Sequence, residues 1–450
     1  MNEVKPHAKL ARKLGTFDAT LIVMGGVIGS GVFVVPSVVA QAVHTAPLIM
    51  LVWLFGGLFA LITGFVFAEL ARLRPDTGGL YGYVRDGIHP VVGFMYGWTA
   101  LFVSQSGGMA AAALTFALYF STITSFGVGA KGLAIASIVI LCLVNCFGVR
   151  EGGTTQNLFM ILKIAAIAAI ILVGIFAPVQ VHTAAPLAPP AGGLALLVML
   201  TAALSPVFFA YDGAQTAPLM DREVVDPGRT FPRALVLGVI GILALYLGIS
   251  ATALRVLGPG GLAATSTPAA DIMRVVFGAP GERAVALAVA VSTLGFLSNQ
   301  ILVTPRIFFS MADDGLFFRS LAYVHPRTRA PIVAIVVTGI ASIAIALSQS
   351  YAHVVDYVVI MDFIFFALCA ISLYTLRRRG LIPAGTPWRI PLHPLSTWFF
   401  IAVCVVILCA TIDKDPVSSL LGIGILCSGA PVYFIWQSFQ KRKPGDIATT

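Results

Sequence analysis

Charge is what this sequence has least of: Lys, Arg, Asp and Glu together make up 10% of its 450 residues, against a hydrophobic share of 58%. A soluble chain carries about 25% charged residues, so so few cannot clothe a water-facing surface of this size, and lipid must be the main solvent. Cysteine is scarce as well. The six, at positions 142, 146, 369, 404, 409 and 427, all lie in apolar stretches, which argues against a disulfide framework, and Cys142 and Cys146, which share a helix face, read as buried structural thiols. No G-x-x-x-x-G-K run is present, so ATP hydrolysis by this chain is not expected. The seven histidines (His7, His44, His89, His182, His325, His353, His393) are scattered and show no metal-ligand spacing. No metal, no cofactor and no enzymatic reaction are therefore expected. The first seventeen residues are polar and basic and lack an apolar stretch followed by a small-residue cleavage site, so the first apolar segment is expected to stay as a signal anchor.

What the chain has in quantity is long apolar runs. A bilayer crossing needs roughly 20 apolar residues, and runs of that order recur from end to end: 46–68, 234–254, 332–347, 398–412 and 417–436 are the clearest. The reading is an all-α membrane protein with about twelve helices, near 18–42, 46–70, 91–120, 130–148, 155–177, 192–219, 232–256, 283–312, 331–349, 353–377, 396–412 and 416–437. Its longest loops are expected after the seventh and tenth helices. Segments 1–17 and 438–450 are tails on a single transmembrane domain, 18–437. The net charge of +9 does not mark a nucleic-acid binder, because the bases alternate from loop to loop: 22 of the 28 Lys and Arg fall on one side if the crossings number twelve. That asymmetry is the positive-inside rule, and it places both termini in the cytoplasm of a multi-pass protein. The expected location is a bacterial inner membrane.

Two helices carry interruptions at mid-depth. The first holds Gly25-Gly26-Val27-Ile28-Gly29-Ser30-Gly31, and the sixth holds Ser205-Pro206 followed by Phe208-Phe209-Ala210-Tyr211-Asp212-Gly213. Glycine costs about 1 kcal/mol and proline about 3 relative to alanine inside a helix, so such clusters invite unwinding. Close helix packing is the alternative for the first run alone. Interruptions five helices apart point instead to two inverted repeats, 18–177 and 192–377, with the pair 396–437 appended and a binding site between the breaks.

Unwound backbone inside a membrane must find partners. The N–H groups of Gly29, Ser30 and Gly31, at the positive end of the following half-helix, suit a carboxylate, and the Ser30 hydroxyl adds to them. The carbonyls released from Phe209 to Asp212 suit an ammonium. Lys163 is a lone base inside a membrane segment, either functional or snorkelling to the interface. Asp212 can neutralise a cation, relay a proton or cap the half-helix that restarts after it. Asp356 and Asp362 are further buried acids of undetermined role. The Gly78-Gly79 turn with Tyr81 and Tyr83 reads as part of an inner gate or as an interfacial anchor.

Several segments together resemble the amino acid-polyamine-organocation superfamily, above all its L-type and bacterial serine/threonine-exchanger-like branches. They are Gly29-Ser30-Gly31-Val32-Phe33; Pro75-Asp76-Thr77-Gly78-Gly79-Leu80-Tyr81-Gly82-Tyr83; Gly148-Val149-Arg150 with Gln156-Asn157 and Lys163; Phe209-Ala210-Tyr211-Asp212-Gly213 with Asp226-Pro227 and Pro232-Arg233-Ala234; and Pro305-Arg306 with Asp314-Gly315-Leu316. The resemblance implies the fold of the bacterial leucine transporter and a substrate site built from Val27, Ile28, Gly29, Ser30, Gly31, Phe209, Ala210, Tyr211, Asp212 and Ala214. Within it, Ser30 and Gly31 would meet a carboxylate, and the carbonyls of Val27, Phe209, Ala210 and Asp212 an amine. Phe209 would be an aromatic gate. Ala214 stands where many L-type relatives carry tryptophan, which leaves side-chain preference open. Lys163 would replace a sodium ion, which implies sodium-independent transport. The implied activity is exchange or facilitated passage of an amino acid, neutral by preference, by alternating access. The alternative is proton symport or a cationic amino acid or polyamine antiporter using Asp212. L-type relatives pair with a glycoprotein through a cysteine that segment 120–132 lacks, so no disulfide-linked heavy subunit is expected, and the protein would be a monomer or weak homodimer.

Overall fold

The structure is a computed structural model; it describes residues 15–74, 79–124, 129–147, 153–176, 193–213, 227–326, 328, 330–348, 351–380 and 390–441. Among these, the long regular elements are all helices. The first predicted crossing is two helices, α1 (Thr16–Val27) and α2 (Gly31–Val43), set at 48° across a three-residue break. Then come α3 (Ala46–Leu73), α4 (Leu80–Gly87) and α5 (Pro90–Thr99), which runs through a π turn (Ala100–Ser104) into α6 (Gln105–Ser121). After α7 (Ala130–Cys146) and α8 (Gly153–Phe176), α9 (Leu194–Tyr211) stops at the second predicted break. The second half holds α10 (Pro227–Ala264), α11 (Pro268–Val303), α12 (Pro305–Asp313), α13 (Ile332–Ser348), α14 (Tyr351–Arg378), α15 (Leu395–Lys414) and α16 (Pro416–Lys441).

Seven described helices are long and apolar enough to cross a bilayer, and the bent α1–α2 pair makes an eighth span. Four shorter apolar helices, within α7, α8, α9 and α13, accompany them. Their outer surfaces stay apolar: Ile140, Leu143, Phe176, Leu420 and Phe434 are each more than half exposed. No water-soluble protein keeps such a belt.

One expectation fails. The stretch after the seventh predicted helix is not a long loop: α10 continues to Ala264, and α11 starts at Pro268. The chain bends inside these helices at Gly258 and Gly278, where φ is +69° and +66°. Leu262, Ala269, Ala270 and Ile272 pack inward. Gly-Pro pairs read as breakers, but a left-handed glycine can end one helix while the proline starts the next, since proline suits a first helical turn.

The centre is sealed by rings. Phe59 of α3 lies between Phe208 of α9, Phe363 of α14 and Phe400 of α15, with centroids 4.7, 5.6 and 5.0 Å away. Trp53, Tyr211 and Tyr246 form a second cluster, which fixes α3, α9 and α10 around the breaks.

Candidate functional site

The two breaks touch backbone to backbone. Gly213 has φ +121°, and a Cβ there would lie 2.1 Å from the Gly26 carbonyl oxygen. A Cβ on Gly31 would lie 2.7 Å from the Cα of Ala210. Only glycine permits either approach. Within the first break the chain folds tightly, the Gly29 N–H reaching the Val27 carbonyl at 2.7 Å before α2 begins at Gly31.

Side chains from other helices take up the backbone that unwinding frees. Lys163 of α8 donates to the Ile28 carbonyl at 2.7 Å, and its ammonium nitrogen lies 5.7 Å from the centre of the Phe296 ring of α11. The Tyr246 hydroxyl of α10 donates to the Ala210 carbonyl at 2.9 Å and lies 3.4 Å from that of Val27, so one side chain serves both breaks. Tyr119 of α6 donates to the Phe33 carbonyl at 2.7 Å and steadies the start of α2. Each carbonyl oxygen has two lone pairs, so Ala210 retains accepting capacity towards a ligand, whereas Val27 already accepts from Gly29 and Tyr246.

Between the breaks is a cavity of about 40 Å³. Val27, Gly29, Ser30, Gly31, Phe209, Ala210 and Asp212 all line it. Ile28 and Tyr211 do not. Ile28 is buried with its carbonyl on Lys163, while Tyr211 turns its hydroxyl to the Trp53 carbonyl at 3.3 Å. Ala214 falls outside the described residues. The sequence did not point to Ser104, Gln105 and Gly108, brought in by the π turn and α6, or to Phe296, Gln300 and Val358 from α11 and α14, and it marked Asp362 of α14 only as a buried acid of undetermined role. The π turn is a signature of functional helices. Single polar residues on long apolar helices leave no periodic pattern to find them by.

Asp362 is buried and lines the same cavity as Asp212 and Ser104. Asp356, six residues earlier, is engaged elsewhere: Lys414 of α15 holds it at 2.8 Å and Ser205 of α9 at 3.2 Å. At the outer edge, Phe209 meets Tyr351 edge-on, centroids 6.3 Å apart. A larger cavity of about 510 Å³ lies on the far side of Phe296, with Lys163 in its wall. Its rim is exposed Leu162, Leu287 and Val291, a surface that faces acyl chains.

A polar network closes the end of the bundle where α3, α4 and α14 meet. Glu69 takes two bonds from Arg377 at 2.7 Å and one from the Ile390 N–H at 2.8 Å. Tyr81 donates to Asp314 at 2.7 Å, Arg85 pairs with Asp314 and Asp86, and Thr375 donates to the Gly87 carbonyl. Burial and the Asp314 carboxylate push the Tyr81 phenol well above its ordinary range, so it remains a donor. Burial opposes the charge on Arg85, but hydrogen bonds to Asp86 and Tyr81 outweigh it and hold the guanidinium still more firmly protonated.

A family model described as amino acid permease matches residues 14–426. A serine/threonine exchanger, SteT, of Bacillus subtilis is 29% identical over 445 residues, covering 96% of this chain and 98% of its own. The human large neutral amino acids transporter small subunit 2 is 27% identical, covering 96% of this chain and 82% of its own. The mouse Asc-type amino acid transporter 1 is 26% identical, with 96% and 83% covered.

Proposed function

The chain belongs to the amino acid permease family, and from that premise we propose that it carries a neutral α-amino acid across the membrane without sodium, as an exchanger or facilitator. The observation that carries this reading is the contact between the two breaks. It brings the start of α2 against the end of α9 beside a cavity lined by Ser30, Gly31, Ala210 and Asp212. A carboxylate suits the N–H groups of the first and an ammonium the carbonyls of the second. Phe209 is the gate on one side, and the Tyr81–Asp314 network belongs to the gate on the other.

Sodium independence rests on Lys163. Its ammonium group bonds to the Ile28 carbonyl in the α1–α2 break and lies beside Phe296 of α11, which supports reading it as a stand-in for a coupling cation. Relatives named as exchangers and as neutral amino acid transporters favour the neutral substrate over a cationic one. Twelve crossings in two inverted repeats, a bacterial inner membrane and cytoplasmic termini complete the reading. No disulfide-linked heavy subunit is expected, since segment 120–132 holds no cysteine.

The test is uptake of labelled L-serine, L-alanine and L-leucine into liposomes holding the purified protein. Uptake of at least one should rise when the liposomes are preloaded with the same amino acid, and should be unchanged when choline replaces sodium. Uptake that collapses in choline would refute the role given to Lys163.

A further inference from the structure

The larger cavity behind Phe296 has no part in the reading above. Its residues on α11 run from Ala284 to Asn299, and those on α8 from Met160 to Ala166. At 1.5 Å per residue the α11 side is about 22 Å long, enough to take the hydrocarbon of one leaflet, about 15 Å deep. Small side chains at Ala165, Ala284, Ala288 and Gly295 leave the hollow between the two helices. It is continuous with the apolar belt, since Leu162, Leu287 and Val291 at its rim are 56%, 51% and 45% exposed.

The floor of this cavity braces the first break. Phe296 lines both this cavity and the smaller one between the breaks, so its ring is a shared wall. A Cβ on Gly29 would lie 3.1 Å from that ring, which places Phe296 against the unwound backbone. Lys163, also in the floor, holds the Ile28 carbonyl, and the Met160 Cε would lie 2.7 Å from a Cβ on Gly25 near the end of α1. Met160 and Lys163 are only 6% and 7% exposed. Apolar cavities stay dry, so water is a poor occupant. The molecules at the open rim are lipid chains, and one that enters gains dispersion contacts along both helices without desolvating a polar group.

We propose that the groove between α8 and α11 is a binding site for one acyl chain of a membrane phospholipid, which backs the Phe296 ring and so supports the first break from the lipid side. With the chain in place the ring cannot swing away from Gly29 into the groove. Without it, the wall shared with the inner cavity has support on one face only. The site takes a straight hydrocarbon chain, because its walls offer length and apolar contact with no polar group placed to select a head. The inference goes beyond the transport reading and does not depend on it.

The experiment places the full chain in liposomes of phosphatidylcholine that carries a photoactivatable diazirine on one acyl chain, and maps the label by peptide mass spectrometry after illumination. Wild type should be labelled on the floor residues Met160, Lys163 or Phe296 as well as on Leu420 and Phe434, which are exposed on α16 and report ordinary belt lipid. Ala288→Phe fills the groove and should lose the floor label while keeping that on α16; Ala284→Leu, nearer the start of the groove, is the second filling variant. Label confined to the rim and α16 in wild type overturns the inference, because lipid sliding over a closed surface gives that pattern. Floor label that both filling variants retain also overturns it. The wild-type map decides occupancy even if neither variant folds. The backing role is read in dodecyl maltoside after lipid removal: added phosphatidylcholine should raise the Tm of wild type more than that of a filling variant, and equal rises overturn it. Neither readout involves an amino acid, so failure of the transport reading leaves both in force.

Discussion

At the scale of single residues, three glycines at the breaks do unequal jobs. Gly31 and Gly213 face backbone at 2.7 and 2.1 Å, whereas a Cβ on Gly29 would meet the edge of the Phe296 ring at 3.1 Å. Backbone cannot yield, but a ring can tilt. Gly31→Ala and Gly213→Ala should therefore cut amino acid uptake by about tenfold or more, since the lost fit exceeds about 1.4 kcal/mol, and Gly29→Ala should cost far less. Uptake by the three variants in liposomes checks the order. Asp415 gives a pH-dependent case outside the membrane. It caps α16 through the Ser418 N–H at 3.1 Å, and His353 approaches at 2.7 Å. Hydrogen bonds from Ser418, then His353, hold its carboxyl below the usual range. A depressed pKa means the stabilisation is present above the ordinary carboxylate pKa of about 4 and is lost as pH falls through the lower folded value. Asp415→Ala should cost about 1 kcal/mol near neutral pH, and its Tm should converge with wild type as pH falls below the ordinary carboxylate range. Ser30, Gly31, Phe209 and Asp212 were legible in the sequence because Gly and Pro clusters mark unwinding. Asp362 was legible only as a buried acid, not as part of the cavity wall, and Tyr246 was not singled out at all, because a lone polar side chain on an apolar helix does not say which way it faces.

At the scale of elements, the short helix α4 and the end of α14 form a latch. The Glu69–Arg377 pair is nearly buried, with side-chain exposures of 5% and 15%, and Glu69 also holds the Ile390 N–H. Removing one partner leaves the other charge without water or counter-charge. Arg377→Ala should destabilise by about 3–5 kcal/mol, read as a fall in Tm. Asp314→Asn is a milder change that weakens the bonds to Tyr81 and Arg85. Because it loosens the proposed gate and lies away from the proposed substrate cavity, it should alter the transport rate while amino acid affinity stays within about threefold, a difference of less than 1 kcal/mol. Uptake rate and thermal-shift affinity, measured on the same preparation, separate the two. Helices were readable to within a few residues wherever apolar runs were long. The short α4 and the helical turns around Gly258 and Gly278 were missed because glycine and proline there redirect a helix, and the sequence alone reads them as loop.

At the scale of the whole molecule, the two decisive features are the apolar belt and the two breaks it encloses. The belt makes the protein dependent on lipid or detergent, and scarce charge made that plain from composition. The breaks need two halves of the chain to meet, α1 and α2 from one and α9 from the other, and no local pattern encodes that contact. Only the pairing of two interruptions at matching positions hinted at it. The central claim is that a zwitterion binds where they meet. A cryo-electron microscopy map of the protein with its best-stabilising amino acid at saturation tests this most directly. The account predicts density between the breaks, with the carboxylate on the N–H groups of Ser30 and Gly31 and the ammonium beside Ala210 and Asp212. Density confined to the Lys163 groove, or a carboxylate turned towards Asp362, would contradict it.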